Sequence, residues 1–196
     1  MAYGSRGSRR RWLTGAVLLA AAGIAVAHVA MPRGADGDLA RLEQRIASEH
    51  PDIPHVRPTD LATSDGDGRE VVIFDVREDH EFSVSRVPGA IRIDPSIDTA
   101  GFLQAHGDRI AGRKVVLYCS VGVRSSRLAR QLTSAATARG AKGVYNLSGG
   151  IFRWHNERRE LVDSAGVTDA VHPYDEFWGT YLQRRSSGRF TPTPRS

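Results

Sequence analysis

The chemistry in this sequence gathers around one thiol. Cys119 is the sole cysteine among 196 residues. It directly follows an apolar run, 115–118, that reads as a buried strand, and a helix is expected to begin around Ser125 or Ser126. At such a junction the loop N–H groups and the positive end of the helix dipole point at the strand's end. Arg124 adds a full positive charge, and Gly122 permits the tight curl that makes an anion-binding nest. Each of these favours thiolate over thiol, below the free-cysteine value of roughly 8.5. A lone cysteine is often an inert core residue. A strand end followed by Gly, Arg and Ser is not core, so Cys119 is the candidate nucleophile. Ser120, Val121, Gly122, Val123, Arg124 and Ser125 form the candidate substrate cradle.

Two further residues are read as supports. Asp75 ends the apolar run 71–74 and is expected to hydrogen-bond the backbone of the cysteine loop. Arg77 and Glu81 stand close enough to pair with each other across a helix start. One cysteine excludes a disulfide framework and a Cys-based zinc cluster. His80, His106 and His155 lack ligand spacing and are read as surface residues, so neither metal nor cofactor is expected. Gly149-Gly150 reads as the turn that brings Trp154 onto the core.

The elements that must position these residues are strands alternating with helices. Apolar runs 71–74, 90–93, 115–118 and 143–147 suit buried parallel strands. Over 126–139, Leu128, Leu132 and Ala135-Ala136 share one helical face. The fold class is α/β, a central parallel sheet with helices on both faces. The domain spans 53–162, followed by an aromatic extension over 163–183 that packs on it and a disordered basic tail over 184–196. Tyr174, Phe177, Trp178 and Tyr181 are expected to cap the domain. Segment 32–52 reads as a linker holding a short amphipathic helix, with Leu39, Leu42 and Ile46 on one face.

Three motifs in fixed order resemble the single-domain rhodanese family of sulfurtransferases. Cys119 to Ser125 is similar to its C-x-x-G-x-R-S loop. Asp75-Val76-Arg77-Glu78, Glu81-Phe82 and Val87-Pro88-Gly89-Ala90-Ile91 resemble its D-V-R, E-F and I-P-G-A-I stretch. Asn146-Leu147-Ser148-Gly149-Gly150-Ile151 with Trp154 resembles its closing L-x-G-G-x-x-x-W. The resemblance implies a single rhodanese-like domain and a ping-pong reaction. A sulfane sulfur passes from thiosulfate or a persulfide to Cys119, then to cyanide or a thiol, with a protein acceptor also open. The C-x4-R length differs from the C-x5-R of the related phosphatases, which disfavours a phosphatase or arsenate reductase. Ser120-Val121 stands where thiosulfate-active members often carry a basic residue, and Ser85-Arg86 replaces the usual Gly-His. The neutral Ser120-Val121 points toward low-charge donors, while Ser85-Arg86 alters the rim of the domain and adds a cation. Ser120-Val121 and the aromatic C-terminal extension also keep open a binding or redox-sensing module that is modified at Cys119 without turnover.

Segment 1–31 reads as a membrane anchor or signal. Residues 12–31 are apolar, carry no formal charge, and are long enough to cross a bilayer as a transmembrane helix. The preceding arginines keep their end cytoplasmic and send the domain to the envelope, or periplasmic, side. Ala25-Val26-Ala27 offers a cleavage site, which would leave an exported soluble domain; the length of the run favours a retained anchor. The formal net charge of +5 suggests a nucleic-acid partner, but nine of the 27 basic residues lie in the acid-free segments 1–35 and 184–196. Residues 36–183 are therefore mildly acidic, and no nucleic-acid partner is expected.

Overall fold

The apolar run after Arg113 forms the middle strand of a parallel sheet, as seen in a computed structural model that describes residues 1, 35–64 and 70–183. In chain order the elements begin with α1 (Ala35–Glu49), β1 (His55–Val56), α2 (Pro58–Ser64), β2 (Val71–Asp75) and α3 (Asp79–Val84). They continue with β3 (Ile91–Arg92), α4 (Thr99–Ile110), β4 (Lys114–Tyr118), α5 (Val123–Ala138), β5 (Gly143–Leu147) and α6 (Gly150–Asn156). A short antiparallel pair, β6 (Leu161–Val162) and β7 (Val167–Thr168), and α7 (Glu176–Gly179) complete the described residues. The sheet order is β1-β5-β4-β2-β3, with every neighbouring pair parallel.

Alternation along the strands sends side chains to two cores. Val72, Phe74, Val115, Leu117 and Cys119 join Phe102 and Ile110 of α4 and Leu128 and Leu132 of α5. Val71, Val116 and Tyr118 join Leu39, Leu42 and Ile46 of α1 and Ile151 and Phe152 of α6. Burial on both faces is why these strands read as continuous apolar runs.

The structure departs from the sequence reading in several places. β1 pairs with the far edge of β5, and neither of its two residues stood out as strand. The helix expected within 32–52 packs on the sheet, and its Glu43 carboxylate meets the Arg153 guanidinium of α6 at 2.8 Å and 3.0 Å. α5 starts at Val123, two to three residues earlier than expected. Its N-cap is Gly122 in the left-handed region (φ 109°), which offers no side-chain cap to read. His106 is half-buried with its ring tilted against Phe74 and Phe102, and His155 is buried with Nε2 3.1 Å from the Asp169 carbonyl, so of the three histidines read as surface residues only His80 is exposed. The apolar run 12–31 and the tail 184–196 lie outside the described residues. Among the described residues, no helix is long and apolar enough to cross a membrane.

Candidate active site

Chain order sets the location. From β2 the chain moves outward to β3, returns to β4, and then continues in the opposite direction to β5. The carboxyl ends of β2 and β4 therefore flank a topological switch point, where open α/β sheets hold ligands. Asp75 and Tyr118 are register partners there. Cys119 follows at once, 1% exposed, with its side chain on the α5 face.

The loop between β4 and α5 is short, and two contacts fix it. α6 begins against it: Ile151 N–H donates to the Cys119 carbonyl at 2.9 Å, and Phe152 N–H to the Ser120 carbonyl at 3.1 Å. With both carbonyls engaged by a helix N-terminus, the loop's N–H groups are left to face the sulfur. This approach needs Gly150, whose φ is 52° and where a Cβ would collide with the Cys119 carbonyl oxygen. Gly149-Gly150 is therefore a docking point for the cysteine loop, beyond the packing turn that the sequence suggested.

Around the sulfur, Gly122 N–H donates to Sγ at 3.2 Å, and the Ser125 hydroxyl lies 3.6 Å away. Burial pushes the Cys119 thiol up. The Arg124 charge, the Ser125 N–H and hydroxyl and the Gly122 N–H together outweigh it, holding the thiol below its ordinary value. The sixteen-residue α5 directs its N-terminus at the same point.

Arg124 is not an isolated cation. Its Nη1 and Nη2 donate to Glu81 Oε2 and Oε1 at 2.7 Å and 2.8 Å, and Nη2 also reaches Ser120 Oγ at 3.1 Å. Ser120 Oγ in turn donates to Glu81 Oε1 at 3.1 Å. Burial raises the Glu81 pKa, but Arg124 and the Glu78 N–H lower it further, so the carboxylate stays ionised. The Tyr174 ring lies 4.9 Å from the guanidinium. A cavity of about 100 Å³ opens over Cys119, between the loop side chains and the aromatic pair Tyr174 and Trp178.

The expected Arg77–Glu81 pair is absent. Arg77 binds Asp75, Nη2 to Oδ2 at 2.6 Å and Nε to Oδ1 at 2.9 Å, and donates to the Ser85 carbonyl at 2.6 Å. Asp75 accepts from the Arg77 N–H and so braces its own turn, not the cysteine loop. Both side chains are fully buried and neither contacts the sulfur. Ser120, Gly122, Arg124 and Ser125 are brought together around Cys119. Val121 is buried in the α1–α6 core and, with Val123, also lines the cavity over Cys119.

Four residues of the site escaped the sequence reading as site residues. Glu81 was assigned to the wrong partner, and Tyr174 and Trp178 had only their aromatic density to mark them. Asn146 has its side-chain oxygen 2.6 Å from Ser125 Oγ and its nitrogen 3.1 Å from His55 Nδ1. Among the described residues, no three metal-ligating side chains cluster.

Residues 58–157 match the description of a rhodanese-like domain. Among curated proteins, the chain is 32% identical over 126 residues to a tRNA uridine(34) hydroxylase of Bordetella petrii, covering 57% of this chain and 48% of that protein. It is 32% identical over 111 residues to the protein of the same name from Cupriavidus taiwanensis, covering 53% and 38%. The chain thus spans about half or less of the length of these relatives. Among solved structures it is similar to a thiosulfate sulfurtransferase from Pseudomonas aeruginosa, at 17% identity and TM-score 0.48, covering 64% of this chain and 23% of that one. The human single-domain sulfurtransferase is 23% identical with TM-score 0.39, covering 52% and 94%.

Proposed function

The chain belongs to the rhodanese-like domain family, and on that premise we propose that it is a sulfurtransferase working through a Cys119 persulfide. The observation that carries this reading is the buried sulfur at the N-terminus of α5, with Gly122 N–H 3.2 Å away and its thiol held below the ordinary value. The thiolate attacks the outer sulfur of a donor, forming an S–S bond to Cys119 as the donor's own S–S bond breaks. Sulfite leaves if the donor is thiosulfate, and a thiolate leaves if it is a persulfide. An acceptor thiolate or cyanide then attacks the outer sulfur, and the Cys119 thiolate departs. Electrons balance without an external oxidant, and the loop donors that lower the thiol pKa favour the ionised nucleophile in place of a dedicated general base. The loop donors that stabilise the thiolate also stabilise the persulfide anion.

The donor class follows from the cavity. The Glu81–Arg124 pair has no net charge, Ser120 and Val121 are neutral, and Tyr174 and Trp178 wall one side. This supports an organic persulfide, with its single charge and apolar body, over dianionic thiosulfate. The relatives' name invokes tRNA, but the slight acidic excess of 36–183 supports a small-molecule donor. The uncharged run 12–31 behind a basic cluster supports a location on the outer side of the membrane, anchored or released by cleavage.

Incubation with thiosulfate and with an organic persulfide, each followed by cyanide, tests the reading. Repeated thiocyanate release is expected, faster with the persulfide. One sulfur gained per chain with no release would instead support a sensing module modified at Cys119. The tight enclosure of Cys119, 1% exposed, is the feature that favours that second reading.

A further inference from the structure

Residues 173–180 border the Cys119 cavity as a strap held at both ends. Before it, Val171 and His172 are buried, Val171 in the α1–α6 core. After it, Asn156 Nδ2 of α6 donates to the Tyr181 carbonyl at 2.9 Å, and Asn156 Oδ1 accepts from the Gln183 N–H at 3.0 Å. The strap also packs on itself, since a Cβ at Gly179 would come 3.0 Å from the Pro173 side chain. The Trp178 N–H donates to Asp175 Oδ1 at 2.9 Å. Between the two anchors, Tyr174 and Trp178 line the cavity.

Tyr174 is the strained point of the strap. Its φ of 68° is one that a bulky side chain rarely adopts, and such outliers persist only where surrounding contacts over-determine them. Two contacts do so here. The ring lies 4.9 Å from the Arg124 guanidinium, and the backbone N–H donates to His172 Nδ1 at 3.0 Å. A backbone N–H can only donate, so Nδ1 is the acceptor and the neutral His172 ring carries its proton on Nε2.

The surroundings of His172 keep it neutral. Burial holds its pKa below the ordinary 6.5; Glu81 opposes this, and positive charge on His80, Arg77 and Arg124 adds to it. His80 meets the ring edge-on from α3, with centroids 5.0 Å apart. A second proton on the ring would set an Nδ1–H against the Tyr174 N–H, and two donors cannot bond.

We propose that this strap selects what reaches Cys119, with Tyr174 the specificity-determining residue and neutral His172 the residue that positions it. Cys119 is 1% exposed beneath a cavity of about 100 Å³, so a donor brings its outer sulfur in past Tyr174 and Trp178. The donor class that follows, which rests on the sulfurtransferase reading, is a small persulfide carried on an unbranched carbon; a tertiary carbon is too broad to pass. Acid releases Tyr174 and relaxes the choice.

Alkylation of Cys119 tests the strap without any sulfur donor, so its failure is distinguishable from failure of the sulfurtransferase reading. Rates with iodoacetamide and with N-tert-butyl iodoacetamide, each normalised to a free thiol, give a ratio from which thiolate ionisation cancels. At neutral pH the wild type should favour the slender reagent by about tenfold or more. Tyr174→Ala, at a position 44% exposed, should erase most of that preference. In the wild type the preference should also fade as pH drops below the ordinary histidine range. His172→Asn, whose side-chain oxygen accepts from the N–H two residues on, should hold it at every pH. A wild type without preference, or a preference that Tyr174→Ala leaves unchanged, overturns the role of Tyr174. A preference that acid does not relax, or relaxes equally in His172→Asn, overturns that of His172. If His172→Asn does not fold, the titration of the His172 ring followed by ¹H–¹⁵N correlation must coincide with the loss of preference, and a mismatch contradicts the latch. Primary and tertiary alkyl persulfides should be discriminated in the same pattern. Absence of sulfur transfer from either, with the alkylation ratios as expected, would sink the sulfurtransferase reading and leave the strap standing.

Discussion

Glu81 grips both terminal nitrogens of Arg124, at 2.7 Å and 2.8 Å, and so converts the only charged residue of the cysteine loop into half of an ion pair. The carboxylate side chain is fully buried, while that of Arg124 is 26% exposed. The loop keeps a cation near its thiolate, yet presents little net charge to a donor. In Glu81→Gln the guanidinium loses its counter-charge. The Cys119 alkylation profile should then move to lower pH, and thiosulfate should gain on organic persulfide as a donor by at least about threefold in kcat/KM. Unchanged donor preference would mean that the pair does not set selectivity.

The same carboxylate makes stability depend on acid. The Glu81 pKa in the folded protein lies below its ordinary value of 4.5. Its contribution is therefore complete above that value and is lost as pH falls through the folded-state pKa. Urea midpoints should decline modestly below about pH 6.5, where His55, His106 and His172 have folded-state pKa values below the ordinary one, and fall further below about pH 4.5 as Glu81 takes up its proton. Glu81→Gln should flatten the fall while lowering the plateau.

Arg77 and Asp75 form a fully buried pair beneath Tyr118, with the guanidinium 5.6 Å from the ring. Arg77→Met leaves the carboxylate buried without its cation and should cost about 3–5 kcal/mol in urea unfolding. A second change, Asp75→Asn, should recover part of that loss, because the stranded charge is then gone.

Gly150 lets α6 dock on the nucleophile loop. Gly150→Ala forces a Cβ into the Cys119 carbonyl at a φ that alanine adopts reluctantly. It should destabilise the fold by about 2 kcal/mol or more. The folded fraction should show a raised thiol pKa, because the loop N–H groups are no longer held toward the sulfur. An alkylation profile like that of the wild type would separate α6 docking from thiolate stabilisation.

Much of the architecture was legible because burial on both sheet faces leaves unbroken apolar runs, as in β2, β4 and β5. β1 was not, since His55 and Val56 are too short a run to carry a period. The start of α5 was misplaced because Gly122 caps it through backbone conformation and not through a side chain. Cys119 was legible from its place after a strand. Its surroundings were less so: Glu81 lies 43 residues from Arg124 in sequence, and proximity suggested Arg77 instead. Asn146 was visible only as part of a motif, since nothing local shows which side chain its amide meets. Tyr174 and Trp178 reach the cavity from outside the matched domain, where no periodicity links them to the loop.

The most direct test of the account is intact mass of the protein after exposure to an organic persulfide and desalting, repeated after addition of cyanide. The account predicts a gain of one sulfur atom, located by fragmentation at Cys119, and its complete loss with release of thiocyanate. Cys119→Ser should show neither. Folded protein that takes up no sulfur from persulfide or thiosulfate, or takes it up equally in Cys119→Ser, would contradict it.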